Sequence, residues 1–245
     1  MPLQWFHTWF NSPYYHLLYN KRNDEEARHF INNLCSYLPQ QSGSKLLDIA
    51  CGRGRHAIYL NKNGYNVTGI DLSIANIQYA RQFESESLHF YVHDMRQLFY
   101  RNYFDVAFNL FTSFGYFETD YEHIDALKAF NKALKPGGLL VLDFFNSRKV
   151  IDTLVPDSIK TVNGIDFNIH KEIKKQKIIK TIAFEDKGEN YTFNEMVSAF
   201  TMTDFERFFY ASDFEITDTF GSYSLEQFDI NNSDRLIFIC KKNNA

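Results

Sequence analysis

The chain has 245 residues, with 26 Lys+Arg against 30 Asp+Glu and a net charge of -4, and 44% of it is hydrophobic. This ordinary globular balance excludes a mainly disordered chain, and the mild acidity argues against a dedicated nucleic-acid-binding protein, which usually has a basic surface. No stretch approaches the ~20 apolar residues of a membrane span, and no basic segment followed by an apolar run opens the chain, so we expect a cytoplasmic protein without a secretory signal.

In chain order, the pattern predicts one helix and then strands that alternate with helices. The first helix covers residues 23–38, where Asn23 or Asp24 can cap it and apolar residues recur at helical spacing. Strands then follow at 45–50, 66–71, 88–92, 104–108 and 138–145, with helices at 55–63, after Ser73 and at 122–134. Such alternation is typical of a mainly parallel sheet with right-handed crossovers.

Residues 159–202 break this alternation. Their polar-faced strands, around a turn at 186–188, predict an antiparallel β insertion after the fifth strand. Thr203 with Glu206 three residues later predicts a capping box for another helix. Two last strands at 214–220 and 235–240 have no helical period between them, so we expect an antiparallel pair. The predicted fold class is α/β, a doubly wound and mostly parallel sheet with this C-terminal pair and this insertion.

The glycine-rich turn after the first strand, DIACGRGRHA at 48–57, is the most informative segment. Its glycines let the backbone approach a ligand closely, and the helix that follows offers free N–H groups. In open α/β sheets, ligands bind in the crevice at the carboxyl ends of the strands. Gly52-x-Gly54-x-x-Ala57, with Asp71 about 20 residues after the turn, matches the dinucleotide pattern and would indicate a nicotinamide-dependent oxidoreductase. The same segment also fits a site for S-adenosylmethionine.

Residues 40–145 resemble the class I S-adenosylmethionine-dependent methyltransferase family. DIACGRGR resembles its first motif, Asp71 of GIDLS its ribose ligand, HDM at 93–95 its adenine-side loop, and LKPGGLLVLDFF at 134–145 the segment entering its fifth strand. Asp48 just before the glycines, the PGG turn and the antiparallel closing pair favour this family over nicotinamide enzymes. The resemblance implies a seven-stranded sheet and S-adenosylmethionine as the cofactor.

The resemblance also implies which residues bind the cofactor. Asp71 would accept both ribose hydroxyls, Asp94 the adenine amine with Met95 against the ring, and Asp48 would lie near the ammonium group. The segment 14–22 resembles the lid of small-molecule members, in which a tyrosine and a basic residue close over the cofactor. The complete set is Tyr19, Arg22, Asp48, Ala50, Cys51, Gly52, Gly54, Asp71, Leu72, Asp94, Met95 and Asn109.

The resemblance further implies that the loop at 109–117, which follows the fourth strand, faces the methyl group and its acceptor, and its aromatic rings could then flank the sulfonium. His93, His170 and Tyr116 are candidates for a general base, and the sequence selects none of them. Cys35, Cys51 and Cys240 lack a CxxC spacing, which predicts buried free thiols and no metal site.

The insertion and the segment 229–235 resemble amino-sugar N-methyltransferases and related small-molecule enzymes. Four parts are therefore predicted: an N-terminal lid at 1–22, a cofactor-binding core at 23–148, an insertion at 149–202 that roofs the acceptor pocket, and a C-terminal completion at 203–245. The basic run at 171–180 fits solvated strands whose lysines discourage edge pairing, or attraction of an acidic substrate or RNA.

The expected partner is a small-molecule acceptor, with no nucleic acid and no membrane, and the chain is expected to be a monomer or a homodimer. An RNA or protein methyltransferase, a nicotinamide-dependent oxidoreductase and a non-catalytic binding protein remain the alternatives.

Overall fold

The computed structural model describes residues 5–19, 24–97 and 99–243, and within these ranges the chain forms eight α-helices and eleven strands. The helices are α1 (Trp5–Trp9), α2 (Pro13–Leu18), α3 (Asp24–Tyr37), α4 (Arg55–Lys62), α5 (Ile74–Ala80), α6 (Asp120–Ala133), α7 (Ser147–Asp152) and α8 (Met202–Tyr210). The strands are β1 (Lys45–Ile49), β2 (Asn66–Asp71), β3 (Leu88–Val92), β4 (Phe104–Asn109), β5 (Leu134–Phe145), β6 (Asp157–Val162), β7 (Ile165–Lys174), β8 (Lys177–Asp186), β9 (Glu189–Ser198), β10 (Phe214–Phe220) and β11 (Arg235–Lys242). No helix in these ranges has the length and apolar character needed to cross a membrane.

Seven strands form one sheet in the order β10-β11-β5-β4-β1-β2-β3. The pairs among β1 to β5 are parallel, whereas β11 pairs antiparallel with both β5 and β10. This confirms the predicted doubly wound, mostly parallel sheet with an antiparallel C-terminal pair. The chain runs outward from β1 through β2 to β3 and then returns to β4 on the other side of β1. The point where the strand order reverses, which is where ligands bind in such sheets, therefore lies between β1 and β4.

Helices cover both faces of this sheet. On one face, α6 and α8 bury Phe130 and Phe205 against it. On the other face, α3 and α4 bury Phe30 and Leu60. Because both faces are covered, the inner strands are continuous apolar runs rather than alternating ones, as the sequence of β5 indicated.

The start of α8 differs from the prediction. Thr201 caps this helix: its side chain accepts a hydrogen bond from the Asp204 N–H, and the Asp204 carboxylate accepts one from the Thr201 N–H at 2.9 Å. The predicted capping box of Thr203 with Glu206 is therefore wrong. The same Thr-x-x-acid spacing occurs twice here, and the earlier start lets Met202 pack against the core.

Two other elements start earlier than predicted. β5 begins at Leu134, because Leu134 pairs with Phe104 before the register shifts within the strand. α6 begins at Asp120, because the side chain of Thr119 accepts from the Glu122 N–H and Glu122 completes a capping box.

The second sheet is antiparallel, in the order β6-β7-β8-β9, and lies between β5 and α8 in the chain. This confirms the predicted insertion, and its hairpin turn has Lys187 and Gly188 at φ 53° and 79°. The inner face of this insertion sheet packs Phe167 and Ile182 against Trp9 and Leu18. We call residues 5–19, which contain α1 and α2, the cap. The boundaries and roles of the four predicted parts stay predictions.

Candidate cofactor site

A cleft of about 580 Å³ lies at the carboxyl ends of β1, β2 and β4. Its size is within the range of small-molecule sites. We call the loops that follow β1, β2, β3 and β4 the floor of the cleft; they line it from one side and the cap lines it from the other. Nine of the predicted cofactor-binding residues lie in this lining: Tyr19, Asp48, Ala50, Cys51, Gly52, Asp71, Leu72, Asp94 and Met95. The structure therefore brings these nine residues together in one cleft, and binding of a cofactor by them stays a prediction.

Three predicted residues do not lie in this lining. Arg22 falls outside the described residues. Gly54, at φ 81°, packs against β3, and a Cβ atom there would lie 2.6 Å from the ring of Phe90. A glycine is thus needed here for close packing on Phe90, and binding of the cofactor by Gly54 stays a prediction. Asn109 is fully buried and donates from Nδ2 to the Ile49 carbonyl at 3.4 Å, which joins the ends of β4 and β1.

Asp48 is buried at the end of β1, with 1% of its surface exposed. Its Oδ2 accepts a hydrogen bond from the Ala57 N–H, in the first turn of α4, at 3.1 Å. Burial raises the pKa of Asp48 to about 7, and the nearby charge of Asp71 acts in the same direction. The carboxylate is therefore held charged near neutral pH only at a cost, which a cation in the cleft would offset.

Asp71 connects the two neighbouring loops of the floor. Its Oδ2 accepts from the Gly52 N–H at 2.9 Å and its Oδ1 from the Ser73 N–H at 2.8 Å. Burial raises the pKa of Asp71, while these hydrogen bonds act to lower it. A carboxylate offers about four acceptor positions, so Asp71 keeps capacity for further donors such as the two hydroxyls of a ribose.

Asp94, after β3, is held by an arginine that the sequence analysis missed. Arg96 donates from Nε and Nη2 to the two oxygens of Asp94, and from Nη1 to Glu122 at 2.7 Å. Burial acts to raise the pKa of Asp94, but the hydrogen bonds from Arg96 hold it below its usual value. The guanidinium also lies 4.8 Å from the ring centroid of Phe117. Asp94 is thus fixed as a charged acceptor, tied to the start of α6.

The loop after β4 has two successive residues in the left-handed region, Phe111 and Thr112, at φ 56° and 58°. Asp143 holds them: its Oδ2 accepts from the Phe111 N–H at 2.7 Å and its carbonyl from the Thr112 N–H at 3.1 Å. Arg235 completes this clamp, donating from Nε to Asp143 at 2.8 Å and from Nη2 to the Thr112 hydroxyl at 3.0 Å. Neither charged residue was predicted; the one available signal was a lone acidic residue inside the apolar run of β5.

Two of the three candidate bases, His93 and Tyr116, lie in the lining of the cleft. The Tyr116 hydroxyl donates to the Thr112 carbonyl. The third, His170, is wrong as a candidate: it pairs with Asp157 at 2.7 Å on the outer face of the insertion sheet, away from the cleft. Phe111 and Phe117 line the cleft as expected for this loop, whereas Phe114 belongs to the core.

The cap supplies lining residues that the sequence analysis did not identify. Phe10 lies 5.7 Å from Tyr116 and Phe6 lies 6.3 Å from Phe117, measured between ring centroids. His16 hydrogen-bonds Asn76 of α5 at 2.7 Å, which places the cap over the loop after β2. The dense aromatic composition of the first residues was the signal, but helices as short as α1 and α2 show no readable period.

The insertion sheet contacts the cap and also the loop after β4, where Lys177 Nζ donates to the Phe117 carbonyl at 3.2 Å and the Ser198 N–H donates to the Gly115 carbonyl at 2.8 Å. Within the described ranges, no residue of β6 to β9 is part of the lining. Instead, Glu195 of β9 accepts from the Trp9 indole N–H and from the Tyr19 hydroxyl, each at 2.7 Å. These contacts support the cap, and the predicted role of the insertion as a roof over the acceptor pocket stays a prediction.

Comparison with known proteins shows which domain this chain is similar to. Residues 46–138 match the family model of the methyltransferase domain. YqeM of Bacillus subtilis (strain 168) is 36% identical over 124 residues, which is 49% of this chain and 49% of YqeM. The dTDP-3-amino-3,4,6-trideoxy-alpha-D-glucopyranose N,N-dimethyltransferase of Streptomyces venezuelae is 32% identical over 133 residues, 53% of this chain and 54% of that protein. The chain thus spans about half the length of these curated relatives.

Among solved structures, a S-adenosylmethionine-dependent methyltransferase from Clostridium acetobutylicum ATCC 824 has a TM-score of 0.78 at 21% identity, over 94% of this chain and 96% of that one. At this identity the likeness concerns the fold, and it includes the insertion as well as the seven-stranded sheet. The motifs of the floor, the strand order and the matched domain agree with one another. Residues 46–138 therefore match a methyltransferase domain, and the chain as a whole shares the fold of the Clostridium acetobutylicum structure.

Proposed function

We propose that the protein transfers a methyl group from S-adenosylmethionine to a small-molecule acceptor by in-line displacement. The observation that carries the proposal is the pair of carboxylates, the buried Asp48 and the half-buried Asp71, placed on either side of the Gly52 turn in one cleft. Asp71 matches the ribose hydroxyls of the cofactor, and Asp48 matches the ammonium group of its amino-acid portion.

The chemistry of the lining fits the cofactor. Asp71 retains acceptor capacity for a diol, and the buried Asp48 carboxylate would be favoured by an ammonium group. Leu72 and Met95 offer apolar contact to a planar base. Arg55, in the lining at the start of α4, is the described cation best placed for a carboxylate, the role predicted for Arg22.

Bound S-adenosylmethionine supplies a methyl group already activated by its positively charged sulfur. The chain must then align the acceptor and exclude water. The rings of Phe6, Phe10, Tyr116 and Phe117 form an apolar wall suited to both tasks. An amine acceptor needs no strong base at the transfer step, and for a hydroxyl acceptor His93 and Tyr116 are within the lining.

A cleft that the cap lines on one side supports a small acceptor rather than RNA or a protein chain. The name of the Streptomyces venezuelae relative, an amino-sugar dimethyltransferase, supports the same class. Cys35, Cys51 and Cys240 are free thiols, which supports a reducing, cytoplasmic location. We propose action as a monomer or homodimer without nucleic acid or membrane.

Calorimetric titration with S-adenosylhomocysteine tests the proposal. We expect binding to the wild type, and a loss of about 1–3 kcal/mol in Asp71→Asn, because charge-assisted hydrogen bonds disappear. Asp125→Asn, at an exposed position on α6, is the matched control and should bind as the wild type does. A folded wild type that ignores S-adenosylhomocysteine but binds reduced nicotinamide cofactor in a fluorescence titration would contradict the proposal.

A further inference from the structure

The basic run at 171–180 is not used by the proposed function, and the structure does not place it at a sheet edge. β7 and β8 are the two inner strands of the insertion sheet, so its lysines do not protect an edge from pairing. Lys171 and Lys180 lie directly opposite each other in the register of β7 and β8. Both share the inner face with Ile169 and Ile182, which pack towards the cap.

Two lysines of the inner face, Lys180 and Lys160, lie against Tyr19 of the cap, which lines the cleft. Lys180 donates to the Tyr19 hydroxyl, and its Nζ lies 4.7 Å from the ring centroid. Lys160 of β6 lies 5.8 Å from the same centroid and donates to the Leu18 carbonyl at 2.6 Å. Tyr19 is thus flanked by two cations, Lys180 and Lys160, and Lys171 lies opposite Lys180 on the neighbouring strand.

The negative charge at this place does not balance the positive charge. Glu195 lies opposite Lys180 on β9, and its Oε2 is 3.4 Å from the Lys180 Nζ. The other oxygen of Glu195 is occupied by Trp9 and Tyr19. In the described part of the chain, neither Lys160 nor Lys171 has a carboxylate within 4.0 Å. Three cations therefore share one carboxylate.

This arrangement is unfavourable without a further anion. Like charges directly opposite on neighbouring strands destabilise a sheet. The Lys180 side chain is only 16% exposed, so water screens it poorly. Burial lowers the pKa of Lys180, and the charges of Lys171 and Lys160 act in the same direction while Glu195 opposes them. A bound anion would relieve both the repulsion and the cost of burial.

We propose that Lys160, Lys171 and Lys180 form an anion-binding subsite beside Tyr19, just outside the lining of the cleft, and that a methyl acceptor long enough to extend past Tyr19 carries a phosphate or carboxylate group that binds there. The inference rests on the proposed function only for the identity of the anion's carrier. The subsite itself rests on the register, the burial and the excess of positive charge.

Thermal unfolding in the presence of inorganic phosphate tests the subsite. We expect a saturable rise in Tm that sodium chloride of equal ionic strength does not reproduce. Lys171→Met should raise the phosphate concentration at half-effect at least tenfold, because one of three cations is lost. Lys174→Met, exposed on the outer face of the same strand, is the matched control and should respond as the wild type does. The same titration with acetate separates a carboxylate from a phosphate, according to which anion acts at lower concentration.

A rise in Tm that sodium chloride matches, or one that survives unchanged in Lys171→Met, would overturn the subsite. The phosphate titration is repeated with saturating S-adenosylhomocysteine, so that binding in the cofactor part of the cleft is blocked. Calorimetry of Lys171→Met with S-adenosylhomocysteine should give the wild-type affinity. Failure of the wild type to bind S-adenosylhomocysteine would contradict the proposed function. The phosphate titration would still test the subsite, because it does not depend on cofactor binding.

Discussion

The two sides of the cleft are built in different ways. The floor is held by short-range contacts: Gly52 and Asp71 are 19 residues apart, and Ala57 and Asp48 are 9 apart. The cap is held by contacts between remote segments, such as Trp9 with Glu195, which are 186 residues apart. The conformation of the floor is therefore set by local turns at the ends of the strands. The conformation of the cap depends on contacts that form only when the insertion sheet has folded.

The same difference predicts unequal stability. The floor is anchored to a sheet that is covered by helices on both faces. The cap consists of helices of five and six residues, far below the length at which helices are stable alone. We therefore expect the cap to open at a lower free energy than the sheet unfolds.

The largest effect is expected where the floor is joined to the sheet core. Arg235→Met leaves the fully buried Asp143 carboxylate without its cation, which should lower the free energy of unfolding by about 3–5 kcal/mol in urea denaturation. Burial already raises the pKa of Asp143 and Arg235 opposes this. In the variant, the pKa of Asp143 in the folded state rises further above its value in the unfolded chain. The loss in free energy of unfolding should therefore be smaller at low pH and should grow as pH rises.

Lys149→Met is the control for this prediction. It removes a cation from the Lys149–Asp234 pair, in which the Asp234 side chain is 80% exposed, so we expect a change of only about 0–1 kcal/mol. Equal losses in the two variants would mean that the clamp on the Phe111 loop is no more important than a surface pair.

An intermediate effect, confined to the cap, is expected from Glu195→Leu. The change removes the acceptor shared by Trp9 and Tyr19, which should lower the opening free energy of the cap by about 2 kcal/mol. Hydrogen exchange of the Phe10 and Tyr19 amides, both bonded within the cap, should accelerate ~30-fold. Amides of β1 and β4 should keep their protection.

The matched control is Glu185→Leu, at an exposed position on β8 of the same sheet. It should leave the exchange of the cap unchanged. Acceleration in β1 and β4 as large as that in the cap would show that the cap and the sheet open as one unit, which would remove the distinction between the two regions.

The smallest effect should appear in the floor, as a pH dependence of binding. With a pKa of about 7, Asp48 becomes protonated below neutral pH and loses its attraction for an ammonium group. The affinity for S-adenosylhomocysteine should therefore fall as pH decreases from 7 to 6, by up to about tenfold per unit. Calorimetry at several pH values should give a flat profile for Asp48→Asn, and a profile for Asp125→Asn like that of the wild type.

In the free protein the same group acts in the opposite direction. Its folded pKa lies above the ordinary value of 3.8, so its contribution to stability is present below that value and is lost as pH rises through about 7. A binding profile of the wild type that is flat between pH 6 and 7 would contradict the assignment of Asp48 to the ammonium end.

Most of the sheet could be predicted from the sequence, because its strands are short apolar runs ended by glycine or by polar caps. β2 and β3 have the predicted bounds, and Ser73 caps α5 as expected. The floor carboxylates were also predictable, since each lies within two residues of the end of a strand. The loop geometry that positions them is local.

The remaining parts depend on contacts that no local pattern encodes. Arg96 and Arg235 act through partners on other elements, Glu122 and Asp143 among them. The role of Gly54 in packing on Phe90 is indistinguishable in sequence from a role in ligand approach. Likewise, the register that brings Lys171 opposite Lys180 is fixed by the hairpin as a whole.

The position of α1 has an optical consequence. The chain contains two tryptophans, and both, Trp5 and Trp9, belong to this one helix. The Trp9 indole is fully buried and donates to the Glu195 carboxylate, while the Trp5 ring lies 5.3 Å from that of Tyr116. Tryptophan fluorescence therefore reports on the surroundings of the cap alone. The tryptophan emission of the unlabelled protein therefore reports movement of the cap. Stopped-flow measurement of this emission would give the rate at which each ligand enters the cleft.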